Sequence, residues 1–424
     1  MIIKSVLTSA ATAVFCVFSI QGCGSSSSNA TTLGETSTEP SLGATLEVEA
    51  GTTQLLSISE LSFVGAFALP TAKDNVSTLD YSSGVIEVNG DSLFIVGHDH
   101  DDAVAEFVLP GLVESTEISK LRVAGKPRQG FVKVLDRSPA GNPEALDEIV
   151  GLELVGESLV INATEYYDAP ADNQLTTLVI DNAADLQGST VGGFRSIEGL
   201  ARAAGWISAI PQPWRAVLGG THITGYSSGG PIIGRHSVGP SAFAIDLEAA
   251  VKTEGAIATT ELLGFSLDKP LNDDLLNETS ENKLWTQLSQ ARFGFIVPGT
   301  KTYLTLGSSG GHQSGIGYKI AQNNGDLCGG YCSYDAEDNY NYYWLWDLDD
   351  LVAVKNGSLS PNRIKPYESG ELNLPFQRND ELIRVGGASF DPVRELLYIS
   401  LLKANNTLGQ YNNPPVIVAY RINR

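Results

Sequence analysis

The chain has 424 residues, 49 of them acidic against 27 Lys and Arg, and a net charge of −22. Its length suits one large repeat fold or two ordinary domains. Acidic residues spread along the whole chain exclude nucleic acid and anionic lipid surfaces as partners, because both are held by basic patches; solubility outside the cell is the plainer reading.

Taken in chain order, Met1 to Lys4 is a short basic start and Ser5 to Ile20 an apolar, small-residue run. That run is too short to cross a bilayer comfortably and reads as a targeting segment. Ile20-Gln21-Gly22-Cys23 follows, then Gly24 and four serines. The pattern resembles the bacterial lipoprotein signal (lipobox): an aliphatic residue three before an obligatory Cys, with a small residue just before it. Gln21 departs from that pattern. The resemblance implies that 1–22 is a signal peptide, that Cys23 is lipidated, and that lipid holds the protein to a membrane of the cell envelope. Gly24 after the Cys, where Asp would retain the protein at the inner membrane, implies the outer membrane of a Gram-negative host. Residues 23–55, rich in Ser, Thr and Gly, read as a tether.

From 56 to 424 we expect one domain. The chain repeats a tight hairpin: Gly84 to Val88, Asn89-Gly90, Ser92 to Val96; then Gly151 to Val155, Gly156-Glu157, Ser158 to Ile161. Gly294 to Val297 with Thr302 to Thr305, and Gly387 to Phe390 with Leu396 to Ile399, repeat the arrangement, with turn-forming residues where each turn falls. A further strand closes each unit (Val104 to Leu109, Thr177 to Asp181, Phe243 to Asp246, Tyr342 to Asp347, Val416 to Ile422). Another precedes it (Leu61 to Phe67, Phe131 to Leu135, Thr259 to Leu267, Arg363 to Tyr367). The third unit is the least regular, with Trp214 to Leu218 and Pro231 to His236 as its middle strands. Recurring four-stranded antiparallel units that cannot bury both faces alone predict an all-β fold, a β-propeller of five blades. Inserted segments could hide a sixth or seventh blade, and two packed sandwiches are the alternative. The general form resembles secreted bacterial propeller proteins, without a motif specific to one family.

With the preceding strand taken as innermost, strand A, and the hairpin as B and C, the short turns are B–C. The long A–B and C–D connections then share one face: 198–213 and 268–290, with 98–103, 165–176, 307–340 and 403–415. Long loops on a rigid scaffold usually carry function. On that face we place His98, His236 and His312, and the arginines Arg215, Arg292 and Arg384, each near the start of a B strand. The candidates for acid–base work are His98, His236, Tyr166 and Arg292; those for ligand contact are Arg215, Arg384, Tyr167 and His312. His98, His100 and Asp101 have the residue types of a divalent-metal site, though alternate residues of a strand point opposite ways and a capped polar loop explains them equally. His222 falls in the Gly-rich B–C turn of the third unit, on the opposite face. Tyr342 to Trp346 alternates as ordinary blade packing.

Of four cysteines, Cys16 lies in the signal and Cys23 carries lipid, which leaves Cys328 and Cys332 to form a short-range disulfide in an oxidising compartment. Gly225-Tyr226-Ser227-Ser228-Gly229 and Gly307-Ser308-Ser309-Gly310-Gly311 match the spacing of a nucleophile elbow but lack the following helix, so serine catalysis is discounted. The expected function is a surface-anchored lipoprotein whose loop-rich face binds a glycan or a protein partner. The alternative is a polysaccharide-active enzyme such as a lyase on an acidic polysaccharide, with Tyr or His as base and Arg stabilising charge. No organic cofactor is expected.

Overall fold

The computed structural model describes residues 53–168, 172–227, 237–378, 381–409 and 411–423. The expected signal, Cys23, nearly all of the tether and His236 lie outside the described residues. Five antiparallel four-stranded sheets form a five-bladed β-propeller.

The first blade is β2 (Ile86–Asn89), β3 (Ser92–Val96), β4 (Ala103–Val108) and β5 (Gln129–Lys133). The second is β6 (Glu148–Val155), β7 (Ser158–Thr164), β8 (Leu175–Ile180) and β9 (Arg195–Ser196). The third is β10 (Trp206–Ala209), β11 (His222–Gly225), β12 (Ala242–Ile245) and β13 (Thr259–Leu263). The fourth is β14 (Gln290–Ile296), β15 (Thr302–Gly310), β18 (Asn339–Asp347) and β19 (Glu368–Glu371), with a two-stranded ribbon of β16 (Ile316–Tyr318) and β17 (Tyr331–Ser333) inserted between β15 and β18. The fifth is β20 (Val385–Asp391), β21 (Leu396–Leu401) and β22 (Val416–Ile422), completed by β1 (Leu61–Ala68) from the start of the domain. β1 pairs antiparallel with β22, Leu61 opposite Ile422 and Ala68 opposite Val416.

Consecutive innermost strands pack around the axis, β2 on β6, β6 on β10, β10 on β14, β14 on β20, and β20 back on β2. This shifts the blade phase by one strand from the sequence reading. Leu61 to Phe67 is the outermost strand of the last blade, not the innermost of the first, and the tight turns are A–B. A periodic sequence fixes the unit but not its starting point; only the closure by β1 sets it. The shared face survives the shift, because the long loops become D–A and B–C, which again emerge together.

Because each blade is covered by a neighbour on both sides, strands such as β3, β7 and β15 are buried along nearly their whole length. Their continuous Leu, Val and Ile runs follow from that, where a sheet with one wet face would alternate. Tyr342 to Trp346 is blade packing, with Trp344 and Trp346 fully buried. Near the hub the backbones approach too closely for any side chain: a Cβ on Gly205 would lie 2.1 Å from the Gly225 carbonyl oxygen, and one on Gly225 2.1 Å from that of Ser241. The third blade differs from expectation. Trp214 to Leu218 belongs to helix α1 (Gln212–Leu218), opened by Pro213 in its first turn and closed by Gly219 at φ +82°. Those are helix start and stop signals, and they override the apolar content. His222 begins a strand instead of sitting in a turn. Residues 231–236 lie outside the described residues. Arg363 ends a short 3-10 turn, and the outer strand of the fourth blade follows it, from Glu368.

The remaining helices, α2 (Leu247–Ala250) and α3 (Leu348–Lys355), lie in C–D connections and are capped by Asp246 and Asp347. Cys328 and Cys332 form the expected disulfide, Cα atoms 6.4 Å apart.

Candidate functional site: the two mouths of the central channel

The axis carries a channel pinched at its waist. Val85, Ile86, Leu152, Trp206, Ile207 and Phe293, among others, leave about 10 Å³ of free volume there. Each side of the waist opens into a mouth of different chemistry.

The mouth on the loop-rich face is polar and mixed in charge. Arg292, the bulged residue between Ala291 and Phe293 in β14, lies near enough to Arg384, just before β20, for its charge to act on that guanidinium. Arg384 is open to solvent yet surrounded by protein, and that burial together with the charge of Arg292 holds its pKa below the usual arginine range. Neither arginine makes an ion pair or hydrogen bond among the described residues. Glu148 at the start of β6 is raised by burial, and Arg292 opposes the rise. Burial pushes the Tyr226 phenol up to about 12, with Glu148 adding to the shift and Arg292 opposing it. Asp102, raised to about 7 by burial and then by Asp147, stands at the first blade's side of the mouth. Beyond Arg384 a pocket of about 310 Å³ reaches Lys403, and it shares Ala336, Asn339, Glu381 and Leu382 with a polar trough of about 910 Å³ between 323–341 and 371–382.

Of the other residues singled out in the sequence, His98 lies in the B–C loop of the first blade. Its ring stacks 5.7 Å from Tyr81 and 5.4 Å from His100, and its Nδ1 lies 2.9 Å from Asp99 Oδ1 and accepts from the His100 N–H. Asp101 accepts instead from Ser77 Oγ at 2.7 Å. His98, His100 and Asp101 therefore do not form the expected metal cluster, and no three His, Cys, Asp or Glu side chains among the described residues are arranged to hold a metal ion. The loop bonds itself, which is the structural alternative. Tyr166 and Tyr167 are 56 % and 53 % exposed on the B–C loop of the second blade. His312 is buried: Nδ1 donates to the Asn282 carbonyl at 2.8 Å, and Nε2 accepts from Ser309 Oγ at 2.7 Å. With both ring nitrogens used, His312 ties loops together and is not free to contact ligand. Ser309 thus meets a histidine, but both are sealed in the blade. Arg215 is also corrected: it lies in α1, on the opposite face from Arg292 and Arg384, paired to Glu248 at 2.7 Å.

The opposite mouth is ringed by all five A–B connections and encloses about 640 Å³. Its walls include Phe293, Phe295, Phe390 and three prolines; its polar lining includes Glu87, Glu153, His222, Ser208 and Ser389, and the charged Arg215, Glu248 and Lys252. Glu87 on β2 and Glu153 on β6 occupy the same register, two residues before the tight turn, on adjacent innermost strands. Glu87 accepts from Ser389 Oγ at 2.9 Å and from the Leu154 N–H. Glu153 is 8 % exposed and has no hydrogen bond; His222 Nε2, 3.5 Å away, is its nearest partner. Burial first, and repulsion by Glu153 second, hold Glu87 well above the carboxylate range; burial lifts Glu153 to about 8. His222 is pushed down to about 4 by burial, then by Arg215, so the imidazole beside Glu153 is neutral at pH 7.

Sequence reasoning missed this mouth because it sought function in long loops. The available signal was a glutamate at the same position of two otherwise apolar strands, Val85-Ile86-Glu87-Val88 and Leu152-Glu153-Leu154-Val155. No protein-family model matches the chain, and no curated protein matches it significantly.

Proposed function

We propose that the protein is an envelope lipoprotein, held by lipid on Cys23 and the 23–55 tether, whose loop-rich mouth binds a glycan carrying an isolated carboxylate. The observation behind this reading is the pair Arg292 and Arg384, two guanidinium groups at the channel axis with no carboxylate bonded to either among the described residues. Such forks match a planar carboxylate bidentately. The adjoining trough supplies Asp326, Asp335, Glu337 and Glu371 as acceptors for sugar hydroxyls, and exposed Tyr166 and Tyr167 offer apolar faces. The same acidic trough, in a chain of net charge −22, repels a polyanion, so one carboxylate on a neutral glycan fits better than a polyuronate. A protein partner presenting a carboxylate is the neighbouring reading.

A lyase remains the alternative because Tyr226 stands in the electrostatic reach of Arg292, as a base and a charge stabiliser would. With its phenol at about 12, roughly one molecule in 100,000 carries the phenolate at pH 7, which places binding ahead of proton abstraction. Titration with a glucuronate-terminated oligosaccharide and its glucose-terminated counterpart tests the proposal. At least a tenfold preference for the carboxylate, lost in Arg292→Gln and Arg384→Gln, is expected; equal affinity for both sugars refutes it. Growth of ultraviolet absorbance from unsaturated uronates would favour the lyase.

A further inference from the structure

We propose that the 640 Å³ cavity on the tight-turn face is a second, separate binding site, and that its ligand is an organic cation, an ammonium group on an apolar body. Three observations carry it. The cavity is a half-open pocket lined in part by phenylalanines, in the size range of small-molecule sites. Two carboxyl side chains on adjacent rigid strands line it, and Glu153 keeps its oxygens without a hydrogen bond while more than nine-tenths buried. Among the described residues no Lys or Arg is ion-paired to either carboxyl: Arg215 is bonded to Glu248, Lys252 lines the cavity without pairing to them, and His222 is neutral. A carboxyl pair of which Glu153 has no donor, walled by aromatic rings, suits an ammonium group, whose charge the carboxylate and the ring faces both favour. An anion would meet two acids, and a neutral apolar molecule would leave Glu153 unbonded.

Binding a cation requires the carboxyl pair to give up a proton, so affinity depends on pH. The groups facing the pair are Asp391 behind Glu87, His222 against Glu153, and Arg215, Glu248, Asp246 and Lys252 toward the rim. His222 is already neutral across this range, which leaves Glu153 as the group that titrates there.

Calorimetric titration of the full chain tests the site with tryptamine and choline as cations, tryptophol as the neutral indole and indole-3-propionate as the anion. Tryptamine should bind at least tenfold more tightly than tryptophol, with affinity rising about tenfold per pH unit between pH 6 and 7.5. Glu153→Gln, which is isosteric, should abolish both the preference and the pH slope while the circular dichroism is unchanged; Glu87→Gln, which keeps the titrating Glu153, should weaken the preference but retain the slope. Equal binding of cation and alcohol, tighter binding of the anion, a flat pH profile, or no binding of either cation by the folded wild-type chain would each overturn the proposal. Arg292→Gln leaves this result unchanged, which separates it from the glycan site.

Discussion

The two mouths of the channel place charge in opposite ways. On the loop-rich side, acids sit on long connections whose backbone N–H groups can turn toward them. Asp338 accepts from the N–H groups of His312, Gln313 and Ser314 and from the hydroxyls of Ser314 and Tyr340. Burial alone would raise it, but those bonds outweigh burial and hold its carboxyl below the usual range. On the tight-turn side, Glu87 and Glu153 project from innermost strands with few donors, and burial holds them high. The same side-chain chemistry is ionised and structural in one place, and in the other held protonated by burial. Loops can bend their own amides to a carboxylate; a strand locked between neighbours cannot.

The largest expected effect separates scaffold from mouths. Trp344 Nε1 donates to the Leu284 carbonyl and Tyr342 to that of Lys283, pinning the D–A loop onto the fourth blade. Trp344→Ala removes a fully buried indole and should cost about 3–5 kcal/mol in chemical denaturation. If it costs under about 1 kcal/mol, the loop-rich mouth is not held by its blade.

Next comes Asp338→Ala, expected to cost about 2–3 kcal/mol at neutral pH because three backbone N–H groups lose their acceptor. Since its folded pKa lies below the unfolded value, that stability is present above pH 4 and fades as pH falls through the depressed value. An acid titration of the wild type and the variant should therefore converge at low pH; parallel curves would contradict the assignment.

Glu153 predicts the opposite slope. Its folded pKa of about 8 exceeds the unfolded one, so the folded state holds a proton that the unfolded state has released. Stability contributed below about pH 4.5 is lost as pH rises toward 8, by up to about 1.4 kcal/mol per pH unit. Thermal melts from pH 5 to 8 should fall in the wild type and fall less steeply in Glu153→Gln, where only Glu87 still contributes from this pair; identical slopes would remove the contrast between the mouths.

The smallest effect belongs to Cys332→Ser. A disulfide spanning a separation of 4 closes a very short loop on an inserted ribbon, worth about 1–2 kcal/mol to that ribbon only. Faster proteolysis between 319 and 331 with an unchanged global melt is expected; a lowered melt would show the ribbon to be part of the core.

The repeat itself was readable because tight turns such as Asn89-Gly90 and Gly156-Glu157 punctuate apolar runs, and the five-blade fold follows from counting them. Blade phase was not readable, since pairing of Leu61 with Ile422 leaves no local trace. Helix α1 was announced by Pro213 and Gly219 and was overlooked in favour of apolar content. Arg292 and Arg384 were placed on the correct face because they flank strand starts; Arg215, on a helix read as a strand, was not. The buried pair Glu87 and Glu153 required knowing which strand is innermost, and that is a property of closure.

The pairing of β1 with β22 also governs timing. Ser62 and Arg421, bonded in the finished ring, stand 359 positions apart, so the first strand synthesised must wait unpaired until the last one exists. Closing so long a loop costs roughly 5 kcal/mol of chain entropy and makes the final step slow. Until then the fifth blade has only its two inner strands and an open edge, although β20 can already wall both mouths. A chain cut short by a dozen residues at its C-terminus would therefore keep the residues of both mouths but lose the clasp that closes the ring around them.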